Sequence, residues 1–121
     1  MTEIQNTKIY DLEDRTLGFA KKVRALLKRL PRTIANVEDG KQLNNASGSV
    51  GANYIEANEA LSKKDFVMRI KICRKEAKES RYWLKLVDTG ENKSLGADRM
   101  NLIAESTELM KIFAAILHKS Q

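Results

Sequence analysis

Residues Ser62–Val87 read SKKDFVMRIKICRKEAKESRYWLKLV and show the clearest helical periodicity in the chain. Apolar and small residues recur along this stretch at alternating intervals of four and three, as one face of an α-helix requires. This core stripe consists of Phe66, Ile70, Cys73, Ala77, Ser80, Leu84 and Val87. The pattern predicts one long helix that buries a single side against a core.

The same stretch carries a strong charge imbalance. It holds nine Lys or Arg residues against three acidic residues, and this difference equals the net charge of +6 of the whole 121-residue chain. At about 100° per residue, most of these cations project to one side of the core stripe. We predict that this basic flank binds nucleic acid through Lys64, Lys71, Arg74, Lys75, Lys78 and Lys85. A merely solvated helix face is the alternative.

A second apolar stripe lies on the opposite flank of the same predicted helix, among its acidic residues. It consists of Met68, Ile72, Trp83 and Leu86. A helix with two separate apolar stripes usually packs against two different neighbours, and in a small domain one of them is often another subunit. We therefore predict that this second stripe forms a subunit contact, with burial inside one wide core as the alternative.

Composition and length favour one intracellular helical domain. A chain of 121 residues is long enough to bury a core, and a single Pro with six Gly residues favours helices. The lone Cys73 cannot form an internal disulfide, and the chain lacks an apolar run typical of a signal peptide or membrane span. We therefore expect a cytoplasmic protein without a membrane contact. Its basic balance favours nucleic acid or another polyanion as partner.

The first predicted helix also combines a core stripe with a basic side. Residues 1–10 are polar and aperiodic, which predicts a flexible N-terminal arm, and Asp11 is a candidate N-cap. The helix should end at Pro31. Its core stripe is Leu12, Thr16, Phe19, Val23, Leu26 and Leu30. The candidate nucleic-acid-binding residues on its other side, the basic face of the first helix, are Lys21, Arg24, Lys28 and Arg32.

The second helix is predicted against its own composition, because its Gly, Asn and Ser residues lower helix propensity. The helical spacing nevertheless continues through Leu43, Ser47, Val50, Tyr54, Ala57 and Leu61. Since a structureless stretch of this length is rare in a compact domain, we predict a helix over about residues 37–60. Gly48, Gly51 and Ala52 would allow a neighbouring helix to approach closely.

Turn and cap signals complete the architecture. Ser62 and Asp65 form a capping pair for the third helix, and Asp98 is a candidate cap for a fourth. The core stripe of this last helix is Leu102, Ser106, Leu109, Phe113 and Ile116. Short connections between four helices predict an all-α fold, an antiparallel up-down-up-down four-helix bundle formed by residues 1–121 as one domain.

No set of residues has the pattern of a catalytic or metal site. His118 is the sole histidine, Cys73 lies on a core stripe, and the Glu-x-x-His motifs of di-iron bundles are absent from the sequence. Asn53 and Glu56 should lie within reach of Arg74 or Arg81, as a structural network or, alternatively, a ligand site. We expect no enzymatic activity, no metal and no cofactor.

Two segments together resemble a known family. QLNNASGSVGANYIEA at Gln42–Ala57 and DFVMRIKICRKEAKESRYWLKL at Asp65–Leu86 resemble the small four-helix-bundle proteins named for intervening sequences in 23S ribosomal RNA genes, supported by DLEDRTLGFAKKV at Asp11–Val23. The resemblance implies a homopentameric ring. The resemblance also extends to accessory proteins of diversity-generating retroelements, which implies a basic surface that engages nucleic acid and a reverse transcriptase.

These observations lead to two competing functions. The first is a non-enzymatic oligomeric adaptor whose basic surface binds RNA, DNA or a ribonucleoprotein partner with little sequence specificity. The alternative is a structural or protein-interaction module without nucleic-acid binding. An enzyme is the third reading, and it would need a site assembled between subunits.

Overall fold

The computed structural model describes residues 12–120 and contains, within that range, four α-helices and no strand. The helices are α1 (Leu12–Arg29), α2 (Ile34–Asn58), α3 (Lys63–Leu86) and α4 (Lys93–Ser120). The predicted N-terminal arm and the Asp11 cap lie outside the described residues. The all-α prediction is confirmed.

The helices form an antiparallel bundle with a simple neighbour relation. Both α1 and α3 pack against α2 and α4, so α1 and α3 lie diagonally opposite. Near one end, the Asn58 amide donates a hydrogen bond to Glu13 at 2.8 Å. Near the other end, the Arg29 guanidinium donates to Asp98 at 2.7 Å. These pairs show that α1 runs opposite to both of its neighbours.

The four core stripes meet along the bundle axis. All six predicted core residues of the first helix are buried, as are Ile70, Cys73 and Leu84 of α3. Four positions differ from the prediction, and two of them, Tyr54 and Phe66, are half-buried side chains that still pack against the core. Leu61 is 98% exposed because α2 ends at Asn58, so its side chain lies in the turn beyond the helix. Ile116 is only half-buried, and the neighbouring Leu117 is buried instead.

A buried asparagine joins the two loops at one end of the bundle. The Asn36 amide nitrogen donates to the carbonyl oxygens of Pro31 at 2.9 Å and Asp88 at 2.8 Å. Its side-chain oxygen accepts a hydrogen bond from the Asp88 backbone N–H at 2.9 Å. Helix α2 begins before residue 37 because the Thr33 hydroxyl caps it by accepting from the Asn36 N–H.

Side-chain caps also fix where α3 and α4 begin. The Ser62 hydroxyl accepts from the Asp65 N–H at 3.1 Å, which confirms the predicted cap of α3. The predicted Asp98 cap of α4 is wrong. Asn92 caps that helix instead, by accepting from the Leu95 N–H at 3.0 Å, and Asp98 lies inside the helix where it pairs with Arg29.

A glycine allows α1 and α2 to approach closely. A Cβ atom built on Gly51 would lie 2.8 Å from the Thr16 hydroxyl oxygen, which is too short for a real contact. The Thr16 hydroxyl itself is fixed by hydrogen bonds to the carbonyl oxygens of Leu12 and Glu13. The predicted packing role is therefore confirmed for Gly51, whereas Ala52 is exposed.

Replacing Gly51 by Ala should destabilise the protein. Overpacking against the fixed Thr16 costs about 1–3 kcal/mol, which exceeds the gain of up to about 1 kcal/mol in helix propensity. Gly18→Ala is the matched control, because a Cβ there meets no other atom within 4 Å, and this change should stabilise α1. Urea unfolding of both variants measures the difference, and equal effects would show that the α1–α2 approach is not tight.

Candidate nucleic-acid interface

The basic flank of α3 is fully available to solvent. All six of its predicted residues are exposed, and within residues 12–120 none of them forms an ion pair. Lys71, Lys75 and Lys78 follow one another at helical intervals of four and three, so they share one side of α3. At a rise of about 1.5 Å per residue, the row from Lys71 to Lys85 spans about 21 Å. The flank is therefore a continuous cationic track.

The basic face of the first helix, α1, is also exposed. Lys21, Arg24, Lys28 and Arg32 form no ion pair with any described acid. Its cations are not equivalent, because the Arg24 guanidinium turns back to the Ala20 carbonyl at 3.5 Å. Since α1 and α3 are diagonal helices, the two basic surfaces lie on opposite sides of the bundle. The structure does not join them into one patch.

The second apolar stripe is partly buried in the bundle and partly exposed on its surface. Trp83 is half-buried and packs against the core, and Ile72 is half-buried as well. Met68 and Leu86 remain 47% and 49% exposed. The bundle therefore covers part of this stripe by itself and leaves the two ends of the stripe exposed. Ile34 was not identified from the sequence as an exposed apolar residue. It lies in the first turn of α2 and is almost fully exposed.

The polar residues of α2 have a different partner from the predicted one. The Asn53 side-chain oxygen accepts a hydrogen bond from Arg69 at 3.0 Å, and its amide donates to Ser49. Arg81 instead donates to the Thr107 hydroxyl at 3.2 Å. The prediction that Arg74 or Arg81 reaches Asn53 is therefore wrong, because Arg69 is the residue at the level of Asn53 on α3. The Arg69–Asn53 and Arg81–Thr107 bonds link adjacent helices, which is a structural role.

A groove of about 660 Å³ between α1 and α4 was not foreseen from the sequence. Its lining includes the apolar side chains of Phe19, Leu26 and Leu102. Ion pairs cross it at two levels, Arg15 with Glu105 and Arg29 with Asp98, both at 2.7 Å. These pairs use two cations of α1 that would otherwise extend its basic face. The groove forms where α1 packs beside α4. The apolar stripes of the two helices do not predict it.

Within residues 12–120, no three His, Cys, Asp or Glu side chains are placed to hold a metal ion. Burial raises the pKa of the Cys73 thiol to about 12, so this side chain is a neutral part of the core. Partial burial, with the nearby Glu79 charge, raises the pKa of Glu76. His118 is exposed near the end of α4.

Among residues 12–120, no helix has the length and apolar character needed to cross a membrane.

The described residues define a small all-α protein of the four-helix-bundle class. The family described as 23S rRNA-intervening sequence protein matches residues 9–115, and the chain belongs to that family. Its fold is similar to the crystal structure of a protein of unknown function from the S23 ribosomal protein family of Bacteroides thetaiotaomicron. That similarity has a TM-score of 0.71 and 29% identity, and covers 87% of this chain and 96% of the other. No curated protein matches the chain.

Cys73 should react slowly with thiol reagents in the native protein. A rise in pKa from 9.0 to about 12 lowers the reactive thiolate fraction at pH 8 by about 1,000-fold, and burial blocks access as well. Labelling with a chromogenic disulfide, before and after unfolding in urea, measures this protection. Fast labelling of the native chain, at the rate of the unfolded one, would place Cys73 outside the core.

Proposed function

We propose that the protein is a non-enzymatic oligomeric adaptor whose basic surface binds nucleic acid or a ribonucleoprotein partner with little sequence specificity. The basic flank of α3 carries this proposal. Its six cations are exposed, lie along one helix and form no ion pair within the described residues. An ion pair on the surface holds a cation only weakly. Because these six cations form no such pair with a described acid, each charge is free to contact a phosphate.

The chemistry of the flank favours the nucleic-acid backbone over base edges. Five of its six cations are lysines, whose ammonium groups act as point charges and lack the planar fork that arginine offers to guanine. Contacts of this kind position a strand without reading its sequence. Sequence specificity would then come from a partner, and a reverse transcriptase of the kind engaged by retroelement accessory proteins is one candidate.

Oligomerisation would multiply these weak contacts. We propose a homopentameric ring, as the family resemblance implies, with Met68, Ile72, Trp83 and Leu86 at or near the subunit contact. The exposed ends of the second apolar stripe support this assignment. Rotational symmetry would place the α3 flanks of successive subunits in equivalent positions around the ring. Several weak phosphate sites could then act together.

A structural or protein-interaction module remains the second candidate. It is favoured by two exposed apolar side chains that the nucleic-acid proposal does not use, Ile34 in the first turn of α2 and Leu61 beyond the end of that helix. The two lie at opposite ends of α2, so each would mark a separate contact with a protein partner. The two functions differ in one measurable property, which is affinity for nucleic acid in the absence of any protein partner.

Replacing Lys71, Lys75 and Lys78 by Gln should weaken binding to all nucleic-acid sequences to the same extent. Each phosphate contact contributes a slope of about −0.9 to log affinity against log salt for duplex DNA, and about −0.7 for single strands. Losing three contacts should therefore flatten the slope by about 2.7 units on duplex DNA and by about 2.1 on single strands. Titrations against unrelated RNA and DNA at several salt concentrations measure both effects, with circular dichroism to confirm unchanged helicity.

The matched control replaces Lys41, Lys93 and Lys111 by Gln. It removes the same total charge from exposed lysines on α2 and α4, two of which already lie beside acidic partners. This control should retain most of the affinity and the original slope. If the unmodified protein binds neither RNA nor DNA at low salt, the adaptor proposal fails and the protein-interaction module replaces it.

Trp83→Ala should weaken assembly, because burying a large apolar side chain contributes about 1.5–3 kcal/mol and the effect repeats at every interface of a ring. Since Trp83 also packs against its own core, the double variant Met68→Ser, Leu86→Ser tests the contact through exposed residues. Sedimentation equilibrium should show a mass five times that of the monomer for the unmodified protein and smaller species for both variants. A stable monomer at micromolar concentration would contradict the ring.

A further inference from the structure

An exposed aromatic ring lies within the cationic track of α3. Tyr82 is 59% exposed, and at about 100° per residue it projects within about 40° of Lys71, Lys75 and Lys78. It falls between Lys78 and Lys85 along the helix. A large ring left in water beside a row of lysines is a feature that phosphate binding by itself does not require.

The Tyr82 ring is held in place by its neighbour. Its centroid lies 4.9 Å from that of Trp83, with an angle of 81° between the two planes. Trp83 in turn packs against the buried core. Two rings that meet edge to face use at most one face of the tyrosine, so the other face is open to a ligand. A ring that already contacts a partly buried neighbour loses less conformational freedom on binding than a ring without such a contact.

We infer that the α3 track binds single-stranded nucleic acid, with Tyr82 stacking on an unpaired base while the adjacent lysines contact the flanking phosphates. This inference rests on the proposed nucleic-acid function and names its substrate class. Every unpaired base has an open face for an aromatic side chain, so stacking adds affinity without sequence preference. The bases of a duplex are already stacked on one another and present no such face to a surface tyrosine.

The arrangement of charges around Tyr82 agrees with this assignment. Lys78 and Lys85 lie one turn before and nearly one turn after the ring, so cations are available on both sides of a stacked nucleotide. Glu79 is the nearest acid along α3, and it projects about 60° away from Tyr82, towards the side of Trp83. Lys71, Lys75 and Lys78 project closer to the direction of Tyr82 than Glu79 does, so cations outnumber carboxylates on this side of α3.

The test compares Tyr82→Ala and Tyr82→Phe on single strands and duplexes. Fluorescence anisotropy is measured at low salt with a labelled 12-nucleotide RNA and with the 12-base-pair duplex of the same sequence. Tyr82→Ala should lower affinity for the single strand by about 5- to 100-fold and leave duplex affinity nearly unchanged. Tyr82→Phe keeps the ring and should retain the single-strand affinity.

The control is Met100→Ala, which removes an equally exposed side chain from α4 and should change neither affinity. If Tyr82→Ala changes neither affinity while the triple lysine variant loses both, the adaptor function survives and the stacking inference is wrong. The inference is also wrong if Tyr82→Ala weakens both ligands equally, or if it changes the sedimenting mass, because the ring would then serve assembly. Absence of any binding by the unmodified protein would instead overturn the adaptor function itself.

Discussion

Burial of the α3 core stripe between α2 and α4 is the constraint on which the rest of the structure depends. Ile70, Cys73 and Leu84 have no exposed surface, so α3 can rotate little about its axis without uncovering them. Fixing the buried side of a helix also fixes its outer side. The lysine row and Tyr82 therefore face water as a consequence of packing, and no separate interaction is needed to hold them there.

The interfaces around the bundle are held by different chemistry. Gly51 lets α1 approach α2 at the level of Thr16, which places a close backbone contact there. The α2–α3 interface includes the Asn53–Arg69 hydrogen bond. Between α1 and α4, solvent-accessible ion pairs bridge a groove, and such pairs contribute little stability. The α1–α4 side is therefore the least tightly packed side of the bundle.

This arrangement limits how the protein could use its charge. The two basic surfaces lie on opposite sides of the bundle. One nucleic-acid strand could therefore contact both surfaces only by passing around the bundle. The α3 flank combines a longer uninterrupted row with an aromatic ring, whereas α1 commits Arg15 and Arg29 to acids of α4. The two surfaces are therefore chemically different.

Local sequence determined the helices, their core stripes and the Ser62 cap, because helical periodicity and capping depend on residues within a few turns. It also determined which residues of α3 could be charged without disturbing the core. Tertiary structure decided everything that joins separate helices: that α1 and α3 are diagonal, that Arg69 and not Arg74 reaches Asn53, and that Asp98 pairs with Arg29. These outcomes depend on helix order and relative height, which no single-helix pattern contains.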